Sequence, residues 1–226
     1  MPTPIIVNGQ VGLTSSRQLL AQAGKLFAVT SVVNTPIAYA NKTGFSATAN
    51  GLWSLSNNNA LGGANIQVDR LKLIETATAP TGTLVMRYEV YTESAIMAIT
   101  TAAAALTPVN VNSAFSNTTG AIATFFATGA GTVPTAVGTR RLVGVGSLAT
   151  GVAVQYDSYT FEFGADGPST GTVGLTAARA TDPADLVTWG PPVTISPGCS
   201  AYMNLWWVTS AANVPSFEFE LLYSEI

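Results

Sequence analysis

Two hydrophobic periods run along this chain. From Ser15 or Ser16, as N-cap, through Arg17-Gln18-Leu19-Leu20-Ala21-Gln22-Ala23 the pattern is helical, and Gly24 stands where a helix C′ residue belongs. After Gly24 the period is two. Leu84, Met86, Tyr88 and Val90 alternate with Arg87, Glu89 and Tyr91, which predicts a half-buried strand. Ile66 to Ile74 alternates less cleanly but is rich in β-formers, and Ala79-Pro80-Thr81-Gly82 is a turn signal that joins the two segments as a hairpin. Tyr159, Phe161 and Phe163 share a face with Glu162 opposite. Phe217, Phe219, Leu221 and Tyr223 do the same with Glu218 and Glu220 opposite, and Tyr202 to Val208 is a third aromatic strand. These three segments are expected to line one sheet face, where cross-strand aromatic pairs suit a pleated surface.

Turn signals are dense: Asn57-Asn58-Asn59, Leu61-Gly62-Gly63, Asp166-Gly167-Pro168, Gly190-Pro191-Pro192 and Ser196-Pro197-Gly198. Short strands so punctuated predict an all-β fold, an antiparallel, jelly-roll-like β-sandwich. A parallel sheet would need helical crossovers, and the sequence has none. Residues 1–24 read as an N-terminal arm containing the short helix, because Pro2, Pro4, Gly9 and Gly12 oppose regular structure. Residues 25–226 read as a single β-sandwich domain. A split near 102–108 is the alternative, with Ala102 to Ala105 and Leu106-Thr107-Pro108 as a linker.

Charge changes the picture. Among 226 residues there are only 9 Lys+Arg and 12 Asp+Glu, 9% of the chain, where about 25% is usual. Apolar content is an ordinary 47%, so Thr, Ser, Asn, Ala and Gly have replaced charge. No charged residue occurs from Ser94 to Thr139 or from Thr43 to Val68. A monomer of this mass exposes on the order of 9,700 Å². So neutral an exterior predicts association, since interface cores are depleted of charge. A net charge of -3 excludes a basic nucleic-acid surface. Ile96 to Val109 is broken by Thr100, Thr101, Thr107 and Pro108 and is far short of the roughly 20 apolar residues of a membrane span. Met1-Pro2-Thr3-Pro4 lacks the features of a secretory signal, which makes the N-x-T sequons at Asn41 and Asn117 chance occurrences. Cys199 is alone, so neither an intrachain disulfide nor a Cys-rich metal site is expected.

Chemistry is thin. With 0 His, a Ser-His-Asp triad and an H-E-x-x-H zinc site are impossible. The S-x-x-K pattern is missing, and Gly24-Lys25 lacks the rest of a phosphate loop. Gly144-Val145-Gly146-Ser147-Leu148-Ala149 fits G-x-G-x-x-A, with Asp166 downstream. The residues after it, Gly151 to Tyr156, are strand-like, so a strand–turn–strand is expected and not a dinucleotide site. Glu218 with Glu220, and Asp157 with Glu162, are the carboxylate pairs that glycoside chemistry would need, but alternation alone explains the first pair. Asp182 and Asp185, with Asp166, match no defined calcium loop and read as solvated turns. Trp189, Trp206 and Trp207 suggest a carbohydrate platform, yet adjacent strand residues face opposite sides, so one of the last two is expected in the core. Arg140-Arg141 diverge for the same reason, and one is expected to meet an acidic neighbour in a partner. No catalytic, cofactor-binding or metal-ligating residue is assigned, and enzymatic activity is not expected.

The ensemble resembles virion structural proteins of tailed bacteriophages, in particular jelly-roll or β-sandwich head decoration and minor capsid proteins. The likeness lies in the low-charge β body, the arm with its short helix, Asp69 to Thr92 around Ala79-Pro80-Thr81-Gly82-Thr83, and Ser200 to Ile226 with Leu205-Trp206-Trp207 before the last strand. It implies a non-enzymatic protein made in the host cytoplasm and located in the virion. Its partners would be copies of itself, a trimer being favoured, and other capsid proteins, with neither nucleic acid nor membrane. The alternatives are a carbohydrate- or receptor-binding β module of a tail or fibre, and a hydrolase built on carboxylates alone.

Overall fold

The structure, a computed structural model, describes residues 3–7, 10–14, 16–31, 37–38, 51–76, 84–97, 103–126, 138–150, 155–164, 185–207 and 216–226. In chain order the first elements are β1 (Thr3–Val7), β2 (Gln10–Thr14), α1 (Ser16–Gln22), β3 (Leu26–Thr30), β4 (Ile37–Ala38), β5 (Gly51–Asn57), β6 (Ile66–Glu75) and β7 (Leu84–Glu93). Then come β8 (Ala103–Leu106), β9 (Val109–Asn110), β10 (Ala121–Phe126), β11 (Arg140–Thr150) and β12 (Ser158–Phe163). The last are β13 (Asp185–Gly190), β14 (Val193–Ile195), β15 (Ser200–Trp207) and β16 (Ser216–Glu225).

The principal ladders nest inside one another. β3 pairs with β16, β5 with β15, β6 with β12 and β7 with β11, as if one long hairpin had been wound round a core. Pairing of β16 with β6 and of β15 with β7 then gathers these strands into two sheets. One runs β13-β12-β6-β16-β3-β9, with β14 beside β6 and β4 beside β16; the other runs β11-β7-β15-β5-β10-β8. That strand order is a jelly roll. Among the described strands only β12 and β13 pair in parallel.

The core lies between the sheets. Tyr159, Phe161 and Phe163 of β12 and Phe217, Phe219, Leu221 and Tyr223 of β16 point inward, as their alternation predicts. They meet Trp53, Leu55, Tyr88, Val90, Met203 and Leu205 of the other sheet. Rings cross the gap edge to face, Tyr88 on Phe161 at 5.2 Å and Trp53 on Phe163 at 6.2 Å. Burial of each large apolar side chain is worth about 1.5–3 kcal/mol. Two sequence expectations fail here. β6 and β7 are not a hairpin, because they lie in different sheets, and the turn signal at 79–82 falls outside the described residues. β15 does not share a sheet with β12 and β16; it faces them. Alternation shows which side of a strand is buried, and both sheets bury the same kind of side.

The amino-terminal segment is not a uniform arm. β1 and β2 form a two-stranded hairpin with Ile6 opposite Val11 and Pro4 opposite Leu13. Asn8-Gly9 between them is the strongest short hairpin signal a sequence offers, and it outweighs the prolines and glycines read as breakers. The helix ends as expected: Gly24 takes φ 67°, the Gly24 N–H donates to Ala21 O (3.0 Å), and the Lys25 N–H donates to Leu20 O (2.8 Å). It is also tied to the body. Arg17 forms an ion pair with Glu162 on β12 and donates to Asp69 O on β6 (3.1 Å). Asn112 donates its amide to Ala21 O (3.1 Å) and Asn110 to Gly24 O (2.8 Å), satisfying carbonyls at the helix end.

The stretch considered as a linker near 102–108 contains β8, hydrogen-bonded to β10 in the six-stranded sheet. The charge-free segment from Ser94 to Thr139 therefore supplies β8 and β10 to one sheet and β9 to the other, along one side of the sandwich.

Gly24 must be glycine twice over, since its φ is left-handed and a Cβ would run into the Phe115 ring. Gly24→Ala is expected to cost about 1–2 kcal/mol from backbone strain alone, read as a lower midpoint in urea unfolding.

Candidate functional site

Charge is segregated. On the outer face of the eight-stranded sheet Arg70 pairs with Glu220, and Arg17 with Glu162. Lys72 stands opposite Glu220 in the β6–β16 ladder. A shallow groove of about 380 Å³ runs there between Thr30, Ser31, Arg70, Lys72, Glu218 and Glu220. Of the carboxylates that glycoside chemistry would need, Glu220 and Glu162 are engaged in these ion pairs with Arg70 and Arg17. Asp157 is wholly buried beside β6, where its carbonyl accepts from the Glu75 N–H (2.9 Å). It lies five residues from Glu162, about 16 Å along an extended chain, and the two do not form a pair.

Among the described residues the six-stranded sheet carries one buried ionic centre, on its outer side. Glu93 at the end of β7 has no exposed side-chain area and accepts from Arg140 Nη2 (2.8 Å), Arg140 Nε (3.2 Å) and the Gly138 N–H (3.1 Å). The Thr139 N–H donates to Ser94 Oγ (2.8 Å), so the entry to β11 is fastened to the exit from β7. The Arg140 guanidinium lies 5.0 Å from the centre of the Tyr202 ring, and Tyr202 stacks on Tyr91 with centroids 5.0 Å apart. Tyr91 donates its hydroxyl to Glu89 Oε2 (2.6 Å). Burial pushes the Tyr202 hydroxyl up to about 12; Arg140 opposes the rise and Glu93 and Glu89 add to it. Burial and the bond to Glu89 raise Tyr91 as well. Arg140 therefore meets its acidic neighbour within its own chain and not in a partner, while Arg141 points away and is exposed. Register pairing made this partner findable only after β7 and β11 were known to be neighbours.

Beyond Arg141 β11 has no charge. Gly144 to Ala149, the G-x-G-x-x-A stretch, lies inside this one continuous strand and not at a strand–turn–strand. Its glycines serve packing: a Cβ at Gly144 would meet the Pro191 ring, and one at Gly146 would meet Tyr88. The register shifts between Leu142 and Gly144, leaving Val143 as the extra residue of a bulge. Leu142, Val143 and Val145 are exposed, Val145 to 63%. A second apolar group, Val109, Val111, Phe115 and Ile122, is exposed on the charge-free segment at the opposite side of the sandwich.

Among the described side chains Trp53, on β5, lies in the core. The side chains of Trp189, Trp206 and Trp207, and residues Asp166 and Asp182, lie outside the described residues, and Asp185 is described only as the first residue of β13. Asn57, read only as turn punctuation, is a buried organiser. Its amide donates to Ile195 O (2.8 Å) and Ala64 O (3.0 Å) and accepts from the Asn59 N–H (3.0 Å). Among the described residues no three His, Cys, Asp or Glu side chains gather as a metal site, and no helix is long and apolar enough to cross a membrane. Comparison with family models, curated proteins and solved structures finds no match.

Arg140→Met strands the Glu93 carboxylate and is expected to cost about 3–5 kcal/mol; Arg140→Met with Glu93→Gln should recover most of this in the same urea titration. Tyr202 is stabilised in its neutral form. Its contribution is full below its unfolded value of 10.0 and is lost as pH rises from there toward about 12. Thermal stability should therefore fall over that interval, and Tyr202→Phe should flatten the fall.

Proposed function

We propose that this protein is a non-enzymatic structural component of a virus particle, a capsid decoration or minor capsid protein of a tailed bacteriophage, working through contacts between subunits. The observation that carries the reading is the distribution of charge and apolar surface. Two of the three ion pairs among the described residues lie on the outer face of the eight-stranded sheet, whereas β11 beyond Arg141 and the segment from Val109 to Ile122, on opposite sides of the body, carry no charge and expose apolar side chains. Interface cores are poor in charge, and a subunit with two such regions has the valency that rings and lattices need. The jelly roll supports the reading only weakly, because that fold hosts many functions. A carbohydrate- or receptor-binding module gains no comparable support, since the described aromatic side chains other than the exposed Phe115 and Tyr156 are core or tightly stacked.

The test is the mass of purified protein by light scattering over a dilution series, with particle-binding assays alongside. A closed oligomer or a polymer in the micromolar range is expected. A monomer at every concentration, without affinity for any particle, overturns the reading.

A further inference from the structure

The question is what covers the edge of β11. This strand ends the six-stranded sheet, and among the described residues no strand hydrogen-bonds to its outer side. It is 11 residues long. Long edges are normally blunted by shortness, charge or proline, yet from Leu142 to Thr150 there is no charged residue and no proline. Leu142 and Val145 are exposed to 51% and 63%.

The β1–β2 hairpin has the complementary need. Its register places Pro4, Ile6, Val11 and Leu13 on one face. A lone two-stranded hairpin is marginal in water and requires further strands or a packed face. This one forms a sheet of its own among the described residues. Residues 1–16 contain no charged side chain, so laying the hairpin on β11 beyond Arg141 pairs an uncharged segment with an uncharged stretch of strand.

Position links the two. The helix that follows the hairpin is fixed by Arg17 to Glu162 on β12. β12 and β13 form the margin of the eight-stranded sheet on the same side as β11, where Pro191, just past β13, fills the space above Gly144. The helix turn that follows the hairpin is thus tied, through Arg17, toward the side of the sandwich that carries the open edge.

We infer that the β1–β2 hairpin of one copy adds to the β11 edge of a second copy of this chain, continuing its six-stranded sheet. The inference rests on the assembly reading above and names its contact. Stable interfaces bury about 800 Å² per partner, which Leu142, Val143 and Val145 alone fall well short of; a hairpin laid along the strand, given and received by every copy, supplies the rest. Reciprocal in a dimer or passed round a trimer, the exchange leaves no copy's β11 edge open. The helix stays with its own body, so the exchanged unit ends before Ser16.

The experiment measures solution mass for the full chain, for a variant lacking residues 1–14, and for Val145→Lys and Leu142→Lys, each checked for cooperative thermal unfolding. Both substituted side chains are exposed, and the hairpin lies outside the sandwich core, so folded protein is expected. An oligomer for the full chain, and monomers for the truncated form and for at least one folded lysine variant, support the inference. A full-length oligomer unchanged by the truncation overturns it and leaves the assembly reading standing. A truncated form that grows larger shows that the hairpin shields its own edge, and overturns it too. So does a truncated monomer with both lysine variants still oligomeric. A monomeric full chain overturns both readings.

Discussion

β16 holds the molecule together. It lies between β6 and β3 and continues past β4, so its inward face of Phe217, Phe219, Leu221 and Tyr223 sits at the centre of the eight-stranded sheet. Tyr223 stacks on Phe27 at 5.4 Å, and Tyr159 meets Phe217 edge to face at 6.0 Å. The same strand gathers the loops at one end of the sandwich. Glu225 Oε1 accepts from Thr119 Oγ1 (2.5 Å) and the Gly120 N–H (2.9 Å), and Ile226 exchanges backbone hydrogen bonds with Asn65 (2.8 and 2.9 Å). Because Thr30 faces Glu220 across the β3–β16 ladder, this sheet forms only when distant parts of the sequence meet. Such non-local pairing makes folding slow and exposes unpaired edges on the way.

That constraint explains which parts of the fold were legible in the sequence. The inward sets on β12 and β16 follow from alternation, and Gly24 marks the helix end by its lack of a side chain. The allocation of strands to sheets does not follow, because β6 and β7 bear the same inward signal and yet face each other across the core. Asn8-Gly9 is a legible hairpin signal, and in the fold it prevails over neighbouring Pro4 and Gly12. The candidate surface was half legible. Absence of charge from Ser94 to Thr139 can be read directly, but exposure of Val145, and the burial of Glu93 beneath Arg140, depend on which strand ends the sheet.

The ion pairs and the neutral regions have different physical work. Exposed or half-exposed pairs such as Arg70–Glu220 contribute little to stability, about 0–1 kcal/mol. Their effect is to keep one face wet and unattractive to neighbours, because burying it would cost desolvation of every ion. The uncharged segment and the part of β11 beyond Arg141 carry no such penalty. In the proposed assembly, stability and association are served by separate surfaces: the aromatic core holds each copy, and the neutral margins meet others.

The most direct test of this division is hydrogen–deuterium exchange at the β11 backbone, compared between concentrated and highly diluted protein. If the edge is a subunit contact, outward-directed amides between Arg140 and Thr150 will be protected at high concentration and will exchange faster on dilution, while amides of β16 remain slow throughout. Exchange along β11 that is identical at both concentrations would contradict the account.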